Sequence, residues 1–256
     1  MTFADLAPAD ISTSALIRLG VIAFIASVTR GFSGFGAALI FMPLAGTAVA
    51  PKTAAALLLI IDFVSAAPLV PNAWKLAQRK TVGIMALGAL VGVPLGTFLL
   101  TKLCPVVTRW MIASLVLVLL ALLISGWRYR GKPHPAVAGG VGGLAGLCSG
   151  LAQTGGPPIV TFWLGQPIAG AIARANIIMY FGVSDIFSIV AYLVSGLLTA
   201  NILKLCLIIG PIYAFGLFLG ARMFGVASET IFRRVCYTLI AIAGVIGLPL
   251  LDRFTH

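Results

Sequence analysis

Six stretches of the sequence run apolar for 17 to 20 residues each, with two charges at most: Ala54–Val70, Gly83–Leu100, Trp110–Gly126, Ala175–Val194, Leu203–Ala221 and Phe232–Leu251. A helix of about 20 such residues spans the ~30 Å hydrocarbon core of a bilayer. A soluble domain has no way to hide that much apolar surface. Composition agrees: of 256 residues, 61% are hydrophobic and 9% charged, whereas soluble chains are about 25% charged. The expected fold is all-α, a polytopic membrane protein with short loops.

The first apolar stretch is built differently. Leu16 to Ala50 would make one helix of about 50 Å, too long for a single span. It is broken by Arg30-Gly31-Phe32-Ser33-Gly34-Phe35-Gly36. Each flank is about 14 residues, or roughly 21 Å of helix, short of the hydrocarbon core. Two half-length helices meeting at a Gly-rich break explain this, as a re-entrant hairpin that dips into the membrane and returns. The pattern recurs after the midpoint. Ala136–Leu147 is apolar and Gly-rich, the break is Gly146-Leu-Cys-Ser-Gly-Leu-Ala-Gln-Thr-Gly-Gly-Pro-Pro158, and a short apolar run reaches Leu164.

The two halves therefore read as homologous repeats. Gly31 aligns with Gly146, Asp62 with Asp185, Gly92 and Gly96 with Gly216 and Gly220, and Arg109 with Arg233. This divides the chain into a first membrane repeat (1–127), a basic cytoplasmic linker (128–135) and a second membrane repeat (136–256). If each hairpin is re-entrant, each repeat crosses three times and the two are inverted. Lys75, Arg79, Lys80, Arg128, Arg130, Lys132, Arg174, Arg222, Arg233 and Arg234 then share one side. Arg18, Lys52, Lys102, Arg109, Lys204 and Arg253 share the other. If each hairpin crosses once, the repeats are parallel and the split is nine to seven. The positive-inside rule prefers the inverted form. Repeats of this kind are common in secondary transporters, with the site at their interface.

The formal charge of +11 fits cytoplasmic loops rather than a nucleic-acid partner, because no basic stripe with interleaved aromatics is present. Cys104, Cys148, Cys206 and Cys236 form no CxxC, and His134 and His256 lie outside the apolar segments, so no metal or cofactor is expected. The N-terminus carries Asp5 and Asp10 and no basic leader region, so no signal peptide is read. Two membrane aspartates raise the question of an intramembrane aspartyl protease. Neither Ile61-Asp62-Phe63 nor Ser184-Asp185-Ile186 sits in a GxGD motif, and the chain is not read as an enzyme. Nothing in the sequence sets the oligomeric state.

The breaks are the first candidate site. Irregular backbone at membrane depth is stable where it is buried or lines a wet cavity. A half-helix starting there aims free N–H groups and a positive dipole end at the cavity, which suits an anion. Gly31, Gly34 and Gly36, with Ser33, form the first set. Ser149, Gly150, Gln153, Thr154, Gly155, Gly156 and Pro157 form the second. The alternative role for such small residues is close helix packing. Arg30 is a candidate oxyanion ligand through paired hydrogen bonds, or a residue snorkelling to the interface. Asp62 and Asp185 fall mid-segment, where a carboxylate is costly unless paired or protonated. They are candidates for proton coupling or gating, or for structural pairing. Arg174, Asn176, Tyr180 and Ser184 are candidate polar neighbours of Asp185.

Gly31-Phe-Ser-Gly-Phe-Gly followed by Pro43-Leu44, and Gly146-Leu-Cys-Ser-Gly150 followed by Gly155-Gly156-Pro157-Pro158, resemble the paired motifs of the TauE/SafE (TSUP) family. The resemblance extends over length, duplication, motif order and the basic central loop. It departs at Gln153-Thr154, where the family often has a glycine-containing pair. It implies a multi-pass plasma-membrane transporter of a sulfur-containing anion such as sulfite, sulfoacetate or another sulfonate, usually an exporter. It also implies a pathway at Gly31–Gly36 and Ser149–Pro157. The expected mechanism is alternating access, with the hairpins meeting near the membrane midplane. An anion channel or uniporter is the alternative.

Overall fold

A computed structural model of the chain describes residues 11–129, 131, 134–223 and 229–250. Asp5, Asp10, Arg130, Lys132, Arg253 and His256 lie outside the described residues, as do the side chains of Ser33 and Arg233. The described residues form eleven α-helices and no strand. In chain order these are α1 (Thr13–Ser33), α2 (Ala37–Ala45), α3 (Pro51–Ala66), α4 (Val70–Leu76), α5 (Arg79–Lys102), α6 (Pro105–Ile124), α7 (Pro135–Ala152), α8 (Gly156–Trp163), α9 (Gly170–Val194), α10 (Ala200–Met223) and α11 (Glu229–Ile246). A 3-10 turn, Ala67–Leu69, joins α3 to α4. Among the described residues, seven helical stretches are long and apolar enough to cross a membrane: α1, α3 running on through α4, α5, α6, α7, α9 and α10.

The hairpins differ from the two half-length limbs expected. Helix α1 continues through Arg30-Gly31-Phe32 and is 21 residues long, and α7 has 18, or about 31 and 27 Å. Their partners α2 and α8 have only nine and eight residues. A single glycine costs a helix only about 1 kcal/mol, and packing at Gly31 outweighs that. The chain breaks where φ becomes positive, at Gly34 (79°) and Gly36 (94°). Nothing lies within 4 Å of where a Cβ would stand on either. Both glycines are therefore set by the backbone turn, not by crowding.

The helices cluster into two compact units, residues 1–61, 103–120 and 196–256, and residues 62–102 and 121–195. Each draws on both sides of the basic central stretch. In the first unit α1 lies along α10. A Cβ on Gly31 would meet the Leu217 carbonyl oxygen and the Ala221 nitrogen, Gly216 faces Ser27 and Phe24, and Gly220 faces the Val28 carbonyl. The paired numbers rise together, so the two helices run parallel. Phe24 and Phe215 stack with centroids 6.2 Å apart. Helix α2 is buried almost throughout and packs on α11, just past the end of which Gly247 meets Pro43.

In the second unit α5 lies along α7 through a ladder of small residues. Gly88 faces Gly139, Gly92 faces Gly143, Gly96 faces Leu147, and Gly150 faces the Val93 carbonyl and the Thr97 nitrogen. These backbones touch, which is how helices associate where lipid removes the hydrophobic drive. Here too the register is parallel. Helix α9 runs the same way. Its N-terminal Asn176 is hydrogen-bonded to Gln78 at the start of α5, Tyr180 to Gly142, and Tyr192 to Gly150 near the end of α7. With α7 and α9 parallel, the chain between them must return. Helix α8 and the connection after it make that return, and the Thr161 carbonyl accepts from the Tyr129 N–H in the segment preceding α7.

Candidate functional site

The first break closes α1 with Gly34, whose N–H donates to the Arg30 carbonyl at 2.7 Å. Gly36 is the N-cap of α2 and supplies no side-chain cap. The Leu39 N–H turns back to the Gly36 carbonyl at 3.1 Å. Gly36, having no side chain, leaves the Ala37 and Ala38 N–H groups at the positive end of α2 without an N-cap side-chain bond. Arg30 is half-buried in the last turn of α1, where a cation complements the helix dipole. By the α1–α10 register this break lies level with the C-terminal end of α10, where Arg222 stands.

The second break is tied more tightly. Gln153 is the one non-glycine with positive φ (57°) among the described residues. Its N–H donates to the Ser149 carbonyl at 2.9 Å. The Cys148 carbonyl accepts from both the N–H and the hydroxyl of Thr154, at 3.2 and 3.3 Å. The Gln153 amide donates to the Tyr192 hydroxyl at 3.3 Å, and that hydroxyl donates to the Gly150 carbonyl at 2.9 Å. A Cβ on Gly155 would strike the Ser149 hydroxyl, so glycine is needed there for space. Ser149 and Thr154 are almost wholly buried. By the α5–α7 register this break lies level with the C-terminal end of α5.

Of the four leading N–H positions of α8, Pro157 and Pro158 supply none. Only Gly155 and Gly156 can donate there, so the dipole end is present but poorer in donors than the break motif alone implies. Asp185 is 6% exposed in the middle of α9. Asp62 is half-buried on α3. Both stand in apolar spans, as expected. Cys148 is 1% exposed, buried in the packed wall of α7.

The family model for the sulfite exporter TauE/SafE matches residues 19–246, taking in both breaks and both aspartates. The chain belongs to the TauE/SafE family. It is also similar to the probable sulfite/organosulfonate exporter TauE of Cupriavidus necator, with 27% identity over 229 residues that cover 85% of this chain and 88% of that protein. No solved structure matches it. Family membership and the seven apolar helical stretches make this a multi-pass membrane protein of a transporter family.

In this TauE/SafE protein the candidate residues divide by role. Gly31 and Gly150 are held by helix packing, Gly34 and Gly36 by a turn, and Gly155 by contact with Ser149. Of the neighbours expected around Asp185, Arg174 is exposed, whereas Asn176, Tyr180 and Ser184 are fully buried. Those three continue into Ser188 and Tyr192, which sequence reading missed. The spacing of four residues was the available signal.

Proposed function

We propose that this protein is a secondary transporter, not an enzyme, that exports a sulfur-containing oxyanion, sulfite or an organosulfonate, across the plasma membrane. The observation that carries this reading is the family match across residues 19–246. The named relative, similar over 85% of the chain, points to the same substrate class. The geometry supports an anion. Helix α2 opens on N–H groups that its N-cap Gly36 does not bond with a side chain, and two glycine N–H groups open α8, both at positive helix ends. Arg30, Gly31, Ser33, Gly34 and Gly36 form the anion-handling set of the first break. Ser149, Gly150, Gln153, Thr154, Gly155, Gly156 and Pro157 form that of the second. Asp62 and Asp185 are assigned to proton coupling or gating.

We also read the halves as a duplication, and the packing supports it. Gly31 sits over Leu217 and Ala221, while Gly150 sits over Val93 and Thr97. Residues 31 and 150 differ by 119, and both pairs of partners differ by 124. This moves the counterpart of Gly31 from Gly146 to Gly150. Each break-bearing helix packs on a helix of the other repeat, α1 on α10 and α7 on α5. A returning hairpin leaves three crossings in each repeat, an odd number, so the copies are inverted. The ten-to-six division of loop charge favours the same arrangement.

Expression in cells that generate sulfite internally tests the function. The expected result is faster appearance of sulfite in the medium than in cells with an empty vector. A rate equal to the control, with the protein present in the membrane fraction, overturns the reading.

A further inference from the structure

Helix α9 carries polar residues at every fourth position, Asn176, Tyr180, Ser184, Ser188 and Tyr192, and all five are fully buried. They lie on one inclined ridge about 24 Å long. Its ends are fixed by hydrogen bonds. Asn176 Oδ1 accepts from the Gln78 N–H at 2.7 Å, at the start of α5. The Tyr192 hydroxyl donates to Gly150 and accepts from Gln153, at the second break. The ridge therefore runs from the first turn of α5 to the second break, close to the full depth of a hydrocarbon core.

Between and beside those anchors, polar atoms are left over. The Ser188 hydroxyl and the Nδ2 of Asn176 are buried without a hydrogen-bond partner, and so is the indole Nε1 of Trp163; the Ser184 hydroxyl makes no well-formed hydrogen bond and has only the Tyr180 hydroxyl beside it. Trp163 belongs to the same packed cluster as Ala175, Met179 and Tyr180. Buried serines in helices have an easy local remedy, bonding back to a carbonyl one turn earlier. Ser27, Thr29, Thr97, Thr108 and Thr161 of this chain all take it. Ser184 and Ser188 do not. Two of the four leftover groups are donors only, since an indole N–H and an amide NH₂ cannot accept, and the hydroxyls can donate. The Gln78 bond fixes which way the Asn176 amide faces. An excess of buried donors calls for a ligand that brings acceptors. Asp185 stands one residue from Ser184, about 100° around the helix and off the ridge.

We infer that the α9 ridge is the donor-lined passage along which the oxyanion crosses the second unit, with Ser184 and Ser188 binding it midway between Asn176 and the second break. This inference rests on the proposed transport of a sulfur oxyanion and assigns that anion a route. Tyr180 and Tyr192 brace the passage by holding α7, and the serines hand the desolvated anion from one hydroxyl to the next.

The test places Ser184→Cys and Ser188→Cys singly in a full-length chain whose four native cysteines are replaced by alanine. Each thiol is exposed to two thiosulfonate reagents of similar size, one bearing a sulfonate and one a trimethylammonium group. The expected result is reaction at both positions, about tenfold or more faster with the anionic reagent, as one or two charge-assisted hydrogen bonds would give. No reaction, or equal rates with the two reagents, overturns the passage. As a second arm, the Ser184→Ala/Ser188→Ala double variant of the native chain is expected to melt no lower than the native chain, because the Ser188 hydroxyl is unpaired and that of Ser184 poorly paired, and to move sulfite about tenfold more slowly. A lower melting temperature with unchanged flux marks the serines as structural and overturns the passage. The two readings fail separately. Anion-selective labelling in a protein that moves no sulfur anion removes the substrate and keeps the passage. Sulfite flux with charge-blind labelling keeps the function and removes the passage.

Discussion

At the scale of single residues, the breaks depend on backbone conformation and on a few buried polar bonds. Gly34 and Gly36 hold positive φ in open space. Gly34→Ala and Gly36→Ala should each destabilise by about 1–2 kcal/mol through backbone strain alone, read as a lower melting temperature in detergent. Tyr192→Phe removes the donor to Gly150 and the acceptor for Gln153. Leaving those groups buried and unpaired should cost about 1–3 kcal/mol, measured in the same way, with little change in helix content by circular dichroism. The glycines and the aspartates were legible from residue type, and Asn176, Tyr180 and Ser184 from sharing a helix with Asp185. Ser188 and Tyr192 were not, because they lie beyond Asp185, and a serine or tyrosine in an apolar helix draws notice only beside a charge. Their meaning comes from burial and from partners that only the fold supplies. The donor deficit made by Pro157 and Pro158 was legible in principle, since proline has no N–H, but it matters only once α8 is known to begin at Gly156.

At the scale of elements, helix length and position were well marked by hydropathy, and pairing was not. Six long apolar runs correspond to α3–α4, α5, α6, α9, α10 and the region of α11. The first limbs were read too short because the polar and glycine residues at Arg30-Gly31 resemble a stop. A helix packed against a neighbour passes through them. That α5 lies on α7 and α1 on α10 follows from the glycine ladders, and small residues in sequence do not name their partner. Overpacking such a seam costs about 1–3 kcal/mol. Gly150→Val should therefore destabilise by at least that much by driving α7 off the Val93 carbonyl, and Gly31→Val should do the same at Leu217. Gly83→Val, at an α5 glycine with nothing within 4 Å of its Cβ position, is the matched control and should leave the melting temperature nearly unchanged.

At the scale of the whole molecule, the account rests on topology and on the substrate. A hairpin that returns and is followed by three crossings puts the C-terminus on the opposite side of the membrane from the basic central loop. A reporter at the C-terminus should therefore read as external, and one inserted at 130–133 as cytoplasmic. Two cytoplasmic reporters would make α7 and α9 successive crossings and contradict the return. The central claim is that this protein carries a sulfur oxyanion, and the most direct measurement is efflux from proteoliposomes containing the purified chain. Liposomes would be loaded with sulfite, sulfoacetate, thiosulfate or sulfate in turn, with and without a pH gradient. The account predicts saturable efflux of sulfite or a sulfonate, faster with the gradient, and loss of that acceleration in Asp185→Asn. Folded protein that releases none of these anions faster than empty liposomes would contradict it.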